Sequence, residues 1–159
     1  SDGLIFHPYL LGEDSPYWDY ELKGHFSGIT IIHSRAHFTR AIYEGTAFAL
    51  KDAMSTFGNL VDGFIENIFT GGGVKSKCWL SIVADVLGLD SKIAVNSDAA
   101  FGAAILAGVS IGAFDDIYEA IRLCGKIKYI IRFSKVLHKK YNELFSKYKK
   151  IKNTIDLIV

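Results

Sequence analysis

Residues 70–79, Thr-Gly-Gly-Gly-Val-Lys-Ser-Lys-Cys-Trp, constrain this chain more than any other stretch, because the glycines join an apolar run over 65–69 to an amphipathic run over 79–87. The first run has the length of a strand and the second the periodicity of a helix, so the segment predicts a strand that turns through glycines into a helix. Gly71, Gly72 and Gly73 carry no Cβ and tolerate positive φ, which lets another group approach the backbone closely. The free N–H groups and the dipole at a helix start favour negative charge there. Two readings follow from these residues alone: a tight turn capped by Ser76, or a seat for a phosphate or nucleotide. Local chemistry does not choose between them.

The rest of the chain predicts helices and strands in alternation. From 3 to 28 the text is rich in aromatic and turn residues and reads as short extended pieces and loops. A long helix is expected over 34–57, with Ser34 as N-cap and Gly58 as stop. Phe38, Ala41, Ile42, Gly45, Phe48, Ala49 and Ala53 fall on one stripe, and the small residues Gly45, Ala47 and Ala49 permit close packing. A strand over 66–70 precedes the glycine turn. A helix over 76–87 then buries Trp79, Ile82, Val83, Val86 and Leu87 and ends at Gly88. A strand over 92–95 follows. The next helix, capped by Ser97 or Asp98 and running to about 111, is apolar nearly all round and is expected to be buried on most sides. A short helix over 115–124, an extended piece over 126–131 and an amphipathic helix over 134–152 complete the reading. This alternation indicates an α/β layer structure, although two or three strands are few for the helices they serve. The expectation is one domain over residues 1–159, with its first strands lying upstream.

Composition removes several classes of function. With 18 basic and 17 acidic residues the net charge is +1, which leaves no electrostatic footprint for nucleic acid or an anionic membrane. Apolar runs are too short to span a bilayer. Cys78 and Cys124 lie far apart without metal-ligand spacing and read as reduced, buried thiols of an intracellular protein. The chain starts Ser1-Asp2-Gly3 and its one methionine is Met54, which with a mean hydropathy of +0.22 suggests a piece of a longer protein.

Other motifs carry less. The glycines miss the dinucleotide fingerprint because Ser76 stands where a third glycine should pack, and they miss the P-loop because no Gly-Lys-Ser/Thr follows at the required interval. His7, His25, His33, His37 and His138 lack zinc spacing and read as loop or helix-surface residues. Glu13, Asp14, Asp19 and Glu21 read as exposed hairpin charges rather than a catalytic carboxylate pair. Asp85 reads as a surface or hydrogen-bonding residue. Lys75 and Lys77, beside the glycines, suit either phosphate or plain solvation, and the lysines of the last thirty residues read as a solvated helix face.

Three stretches taken together resemble the C-terminal domain of the FGGY family of carbohydrate kinases. The first is Gly24-His25-Phe26-Ser27-Gly28-Ile29 with His37-Phe38-Thr39-Arg40-Ala41-Ile42-Tyr43-Glu44, which is similar to the family's second signature. The second runs from Gly71 to Gly88 and is similar to its adenosine motif. The third is Phe101-Gly102-Ala103-Ala104-Ile105-Leu106-Ala107. Pro8-Tyr9-Leu10-Leu11-Gly12-Glu13 with Trp18-Asp19 resembles the opening of the xylulose-kinase and gluconate-kinase branches. Asp14 and Tyr20 depart from that pattern, where Arg and Pro are frequent.

The resemblance implies an α/β, actin-like ATPase (ribonuclease H-like) fold, incomplete at its N-terminus, in a cytoplasmic enzyme that uses ATP and Mg²⁺ to phosphorylate a hydroxyl of a ketose such as xylulose or a sugar acid such as gluconate. Gly71, Gly72 and Gly73 would lie against ribose and phosphates, and Ser76 would contact the adenine end. The family's general base and most sugar ligands belong to regions outside these residues, so no catalytic residue and no metal ligand is expected here. The implied partners are the sugar and the N-terminal part of the same protein, with room for a homodimer, and the chain by itself is expected not to turn over. A non-catalytic actin-like ATPase or interaction module is the alternative.

Overall fold

A computed structural model describes residues 1–59, 67–96 and 98–155 of the chain. The first strands are β1 (Ile5–His7) and β2 (His25–Ser27), paired antiparallel with Phe6 opposite Phe26. Helix α1 (Arg35–Ser55) follows; Ser34 flanks it, and its amide donates to His37 Nδ1 at 3.0 Å. Gly45 lies so close over β1 that a Cβ there would stand 2.1 Å from the Phe6 carbonyl oxygen. The small residues of α1 therefore do what the sequence suggests: they let the helix lie directly on the hairpin.

Beyond α1, strand β3 (Asn67–Phe69) leads into a 3-10 turn, Gly72–Lys75, and helix α2 (Lys77–Leu87). Strand β4 (Ser91–Ala94), α3 (Ala99–Ser110), α4 (Ile117–Cys124), β5 (Ile127–Ile131) and α5 (Lys135–Ile155) complete the order. Strand β4 is central, parallel to β3 and antiparallel to β5. The predicted strand over 66–70 is realised as Asn67–Phe69, with Glu66 outside the described residues.

The caps follow local chemistry. Ser76 Oγ accepts from the Trp79 amide at 3.2 Å, Asp98 Oδ1 from Phe101 at 2.8 Å, and Asp116 Oδ1 from Glu119 at 2.7 Å. Each such cap contributes about 1 kcal/mol. Gly88, at φ +73, closes α2 in the left-handed conformation that favours glycine. The main core gathers Ile5, Tyr9, Phe48, Ile82, Val83, Val86, Tyr141 and Tyr148 where α1, α2 and α5 meet.

Four expectations need correction. Helix α3 is not enclosed: Ile105 is its buried residue, and Leu106 is 60% exposed. Among the described residues α4 packs against it, Phe101 and Val109 are half-buried, and Ala103, Ala104, Leu106 and Ala107 lie open. The thiols are not buried either, since Cys78 sits on the outer side of the first turn of α2 and is exposed while Cys124 is half-buried. His7 is no surface histidine; it is fully buried, stacked between His25 and Tyr148, because β1 runs beneath α5. Lys149 and Lys152 leave the solvated face of α5, Lys149 binding Asp52 and Lys152 lying buried 3.7 Å from the Tyr17 ring centre.

Smaller differences have the same origin. In α2 the buried set includes Leu80 and Ala84, whereas Trp79 and Leu87 stay half-buried. Asp85 is buried, accepting from the Ser134 amide at 2.7 Å to hold the start of α5, so its role is hydrogen bonding and not surface exposure.

Candidate functional site

The glycine turn faces α1 across a cleft of about 630 Å³. Gly72, Gly73, Lys75, Ser76 and Trp79 form one wall, and Ile42, Tyr43 and Thr46 of α1 form the other. Three of the four residues singled out in the sequence therefore line one cavity. Gly71 precedes it and serves the backbone: its φ of +83 and ψ of −165 belong to a region that is essentially reserved for glycine.

Gly72 and Gly73 are glycines for different reasons. A Cβ at Gly73 would stand 2.8 Å from Cζ3 of Trp79, so the absent side chain there lets the indole tuck under the turn. A Cβ at Gly72 would meet nothing within 4 Å. Its bare backbone looks onto open cleft, and packing inside the chain does not require it. The leading amides of such a turn have no partner within it and are available to an acceptor.

Trp79 fixes the cleft. Its Nε1–H donates to Thr46 Oγ1 at 3.0 Å, Thr46 Oγ1 donates in turn to the Tyr43 carbonyl at 3.0 Å, and the ring meets Phe69 edge-on at 6.5 Å. The indole thereby ties α1, β3 and the turn into one unit. Ser76 adds a polar group at the rim. Its oxygen accepts from the Trp79 amide, and its own hydrogen remains for donation outward. Lys75 is the charged residue of the lining; Tyr43, Ile42 and Trp79 make the walls largely apolar. An apolar slot with a few polar groups and exposed amides suits a flat heteroaromatic base carrying an anionic tail. The sequence placed Ile42 on the apolar stripe of α1, where the structure leaves it exposed beside the cleft; Tyr43 entered only within the signature-like stretch, and nothing singled out Thr46. Their signal lay in the neighbouring helix position facing Trp79, which only packing reveals.

The remaining candidates fall elsewhere. The acidic cluster closes the first loop: Glu13 and Asp19 exchange backbone hydrogen bonds, and Asp19 Oδ1 accepts from the Glu21 amide. Partial burial, with Asp14 and Asp52 nearby, raises the Glu13 carboxyl above its ordinary value. His33 and His37 both turn to Asp2, with His37 Nε2 3.1 Å from its carboxylate. Among the described residues no three His, Cys, Asp or Glu side chains gather as metal ligands, and no helix is long and apolar enough to cross a membrane.

Comparison with known proteins gives the chain a family and a fold. The model of the FGGY family of carbohydrate kinases, C-terminal domain, matches residues 1–111. A xylulose kinase of Staphylococcus epidermidis is 32% identical over 95% of this chain and 31% of its own length. A gluconokinase of Bacillus subtilis is 34% identical over 76% of this chain and 24% of its own. Among solved structures, the ligand-bound xylulose kinase of Lactobacillus acidophilus superposes with a TM-score of 0.87 at 28% identity, over 98% of this chain and 32% of that one. The gluconate kinase of Lactobacillus acidophilus gives 0.86 at 28% identity, over 97% and 31%. The chain thus spans about a third of the length of the relatives it matches.

Proposed function

Because this chain belongs to the FGGY family of carbohydrate kinases, with that family's α/β actin-like (ribonuclease H-like) ATPase fold, we propose that it is the nucleotide-side domain of a sugar kinase. The whole protein would pass the γ-phosphoryl group of ATP to a hydroxyl of a ketose such as xylulose, or of a sugar acid such as gluconate. The observation that carries this reading is the open face of Gly72. A residue with room for a side chain keeps none, at the point where a helix start and an apolar slot converge.

Phosphoryl transfer is mainly positioning and charge stabilisation, so a rigid seat is a real contribution from residues that do no chemistry themselves. Backbone amides at 72 and 73 would hold phosphate oxygens, and Lys75 would add charge. The Ser76 hydroxyl would donate to an acceptor on the nucleoside. Tyr43 and Trp79 would exclude water from the base. The lining contains no carboxylate, so these residues offer nothing to ligate Mg²⁺, and no step is routed through it. The general base would come from the start of the C-terminal domain, outside these residues, and the sugar contacts chiefly from the N-terminal part of the same protein. A cytoplasmic setting and assembly as a homodimer belong to the same proposal.

The test uses full-length protein carrying Gly72→Val. The expected result is a rise in KM for ATP of at least about tenfold, with KM for the sugar unchanged, because the branched side chain fills the nucleotide's place. Unchanged ATP affinity, or a co-crystal with the nucleotide remote from residues 71–76, would overturn the assignment. ATP binding without phosphorylation of any sugar in a panel of ketoses, sugar acids and glycerol would favour a non-catalytic module.

A further inference from the structure

A second cleft, of about 480 Å³, lies around the turn from the first. The 3-10 turn and the start of α2 separate the two. Residues three apart in such a turn share a side, so Gly73 and Ser76 face the first cleft while Val74 and Lys77 face the second, and Lys75 borders both. The second cleft is walled by the carboxyl end of β4 and the amino end of β5. Tyr129 pins that wall in place: its hydroxyl donates to the Val74 carbonyl at 3.4 Å, and its ring lies 5.2 Å beneath Lys77 Nζ.

The charge on this lining is one-sided. Lys75, Lys77 and Lys128 contribute three ammonium groups and the described lining contains no acid, on a chain whose overall net charge is only +1. None of the three is ion-paired with a carboxylate among the described residues. Ile93, Ala94 and Val95 provide an apolar floor. A concave wall concentrates the field of such charges on whatever enters.

We propose that this cleft is a second anion site, taking a phosphate-type dianion separately from the nucleotide seated over Gly72 and Gly73. Three lysines bordering one cleft suit an anion with several acceptor oxygens, whether free phosphate or the phosphate of a monoester, better than they suit chloride. The site abuts the backbone of Val74 and Lys75, so its occupant touches the same turn that builds the nucleotide seat. Its separateness rests on the nucleotide reading; its existence does not.

The experiment is calorimetric titration of full-length protein at fixed ionic strength with inorganic phosphate and, in a second arm, glycerol phosphate. Each is titrated with and without a saturating non-hydrolysable ATP analogue. Saturable phosphate binding is expected in both conditions, and Lys77→Ala/Lys128→Ala should weaken it by at least about tenfold while moving analogue affinity by less than about twofold. Tighter binding of the ester identifies a phosphomonoester as occupant, and tighter binding of inorganic phosphate identifies the free anion. One-for-one competition with the analogue would assign the cleft to the nucleotide and overturn the proposal. Wild-type phosphate affinity in the double variant, or no saturable binding at all, would also overturn it. Failure of the analogue to bind, with phosphate binding still lost in the variant, would count against the nucleotide reading alone. Both lysines are exposed, so the variant should fold, and an unchanged unfolding midpoint checks this.

Discussion

The seam between α1 and α5 and the turn between β3 and α2 lie against the same helix, yet they treat polar groups in opposite ways. In the seam the buried polar side chains bind one another and the backbone. Tyr9 and Tyr148 share a hydrogen bond at 2.9 Å, His7 Nε2 meets the Tyr148 carbonyl at 2.9 Å, Tyr17 and Lys149 both bind Asp52, and Arg40 and Tyr141 converge on Glu44. At the turn the backbone faces open space, and among the described residues no acid binds the neighbouring lysines. A buried polar group must be satisfied internally, or it costs several kcal/mol. An exposed one is free for a ligand. The seam therefore holds the domain together, and on the proposed function the turn is left to bind, so changes in the two regions should separate stability from affinity.

The largest effect should come from Tyr148→Ala. The ring is fully buried against Phe48, Phe145 and His7, and its loss should cost about 3–5 kcal/mol in denaturant unfolding. Nucleotide affinity of the protein that remains folded should not change. Next is Asp52→Ala, which strips Lys149 and Tyr17 of a shared acceptor. Lys149 is about one-third exposed and can turn to water, so about 1–3 kcal/mol is expected by the same measurement. A seam that tolerated both changes would not be the stabilising region.

Gly73→Ala and Gly72→Ala should divide the turn itself. At Gly73 the new methyl meets an indole held by Thr46, and overpacking of this kind costs about 1–3 kcal/mol. At Gly72 the methyl enters open cleft and stability should stay within about 0.5 kcal/mol. ATP affinity, measured in the full-length protein, should fall in both. Equal stability losses at the two positions would break the distinction drawn between them.

The smallest effect is a pH dependence in the seam. Burial, reinforced by the nearby Glu44 carboxylate, pushes the Tyr141 phenol up to about 12 in the folded state. The neutral phenol is the form the fold accepts, so its contribution is fully present below the unfolded value of about 10 and is lost as pH rises toward 12. Unfolding measured across that window should show the loss in wild type and a smaller loss in Tyr141→Phe. Burial raises the phenols of Tyr9 and Tyr148 in the same direction, which keeps a residual slope in the variant.

Periodicity and caps made most elements legible before any coordinates. Ser34, Ser76, Asp98 and Gly88 mark helix ends through bonds made within a few residues, and a single chain displays such local chemistry directly. The glycine turn was legible for the same reason, as was the family likeness carried by its spacing. Misreadings arose wherever a residue's environment is supplied from far along the chain. His7 is buried by Tyr148, 141 residues away, and Lys149 finds Asp52 across 97. Helix α3 has the composition of a buried helix but too few neighbours among the described residues to bury it.

By itself the sequence determined where the chain turns, which helices it forms and that its glycines leave a backbone bare. Only the tertiary structure decided that Ile42, Tyr43 and Thr46 complete the cleft, that Gly73 is bare for Trp79 while Gly72 borders open space, and that Lys75, Lys77 and Lys128 border a common hollow. The reason is physical. Backbone conformation responds to the few residues on either side, whereas a cavity and its charge exist only where distant segments are brought against one another.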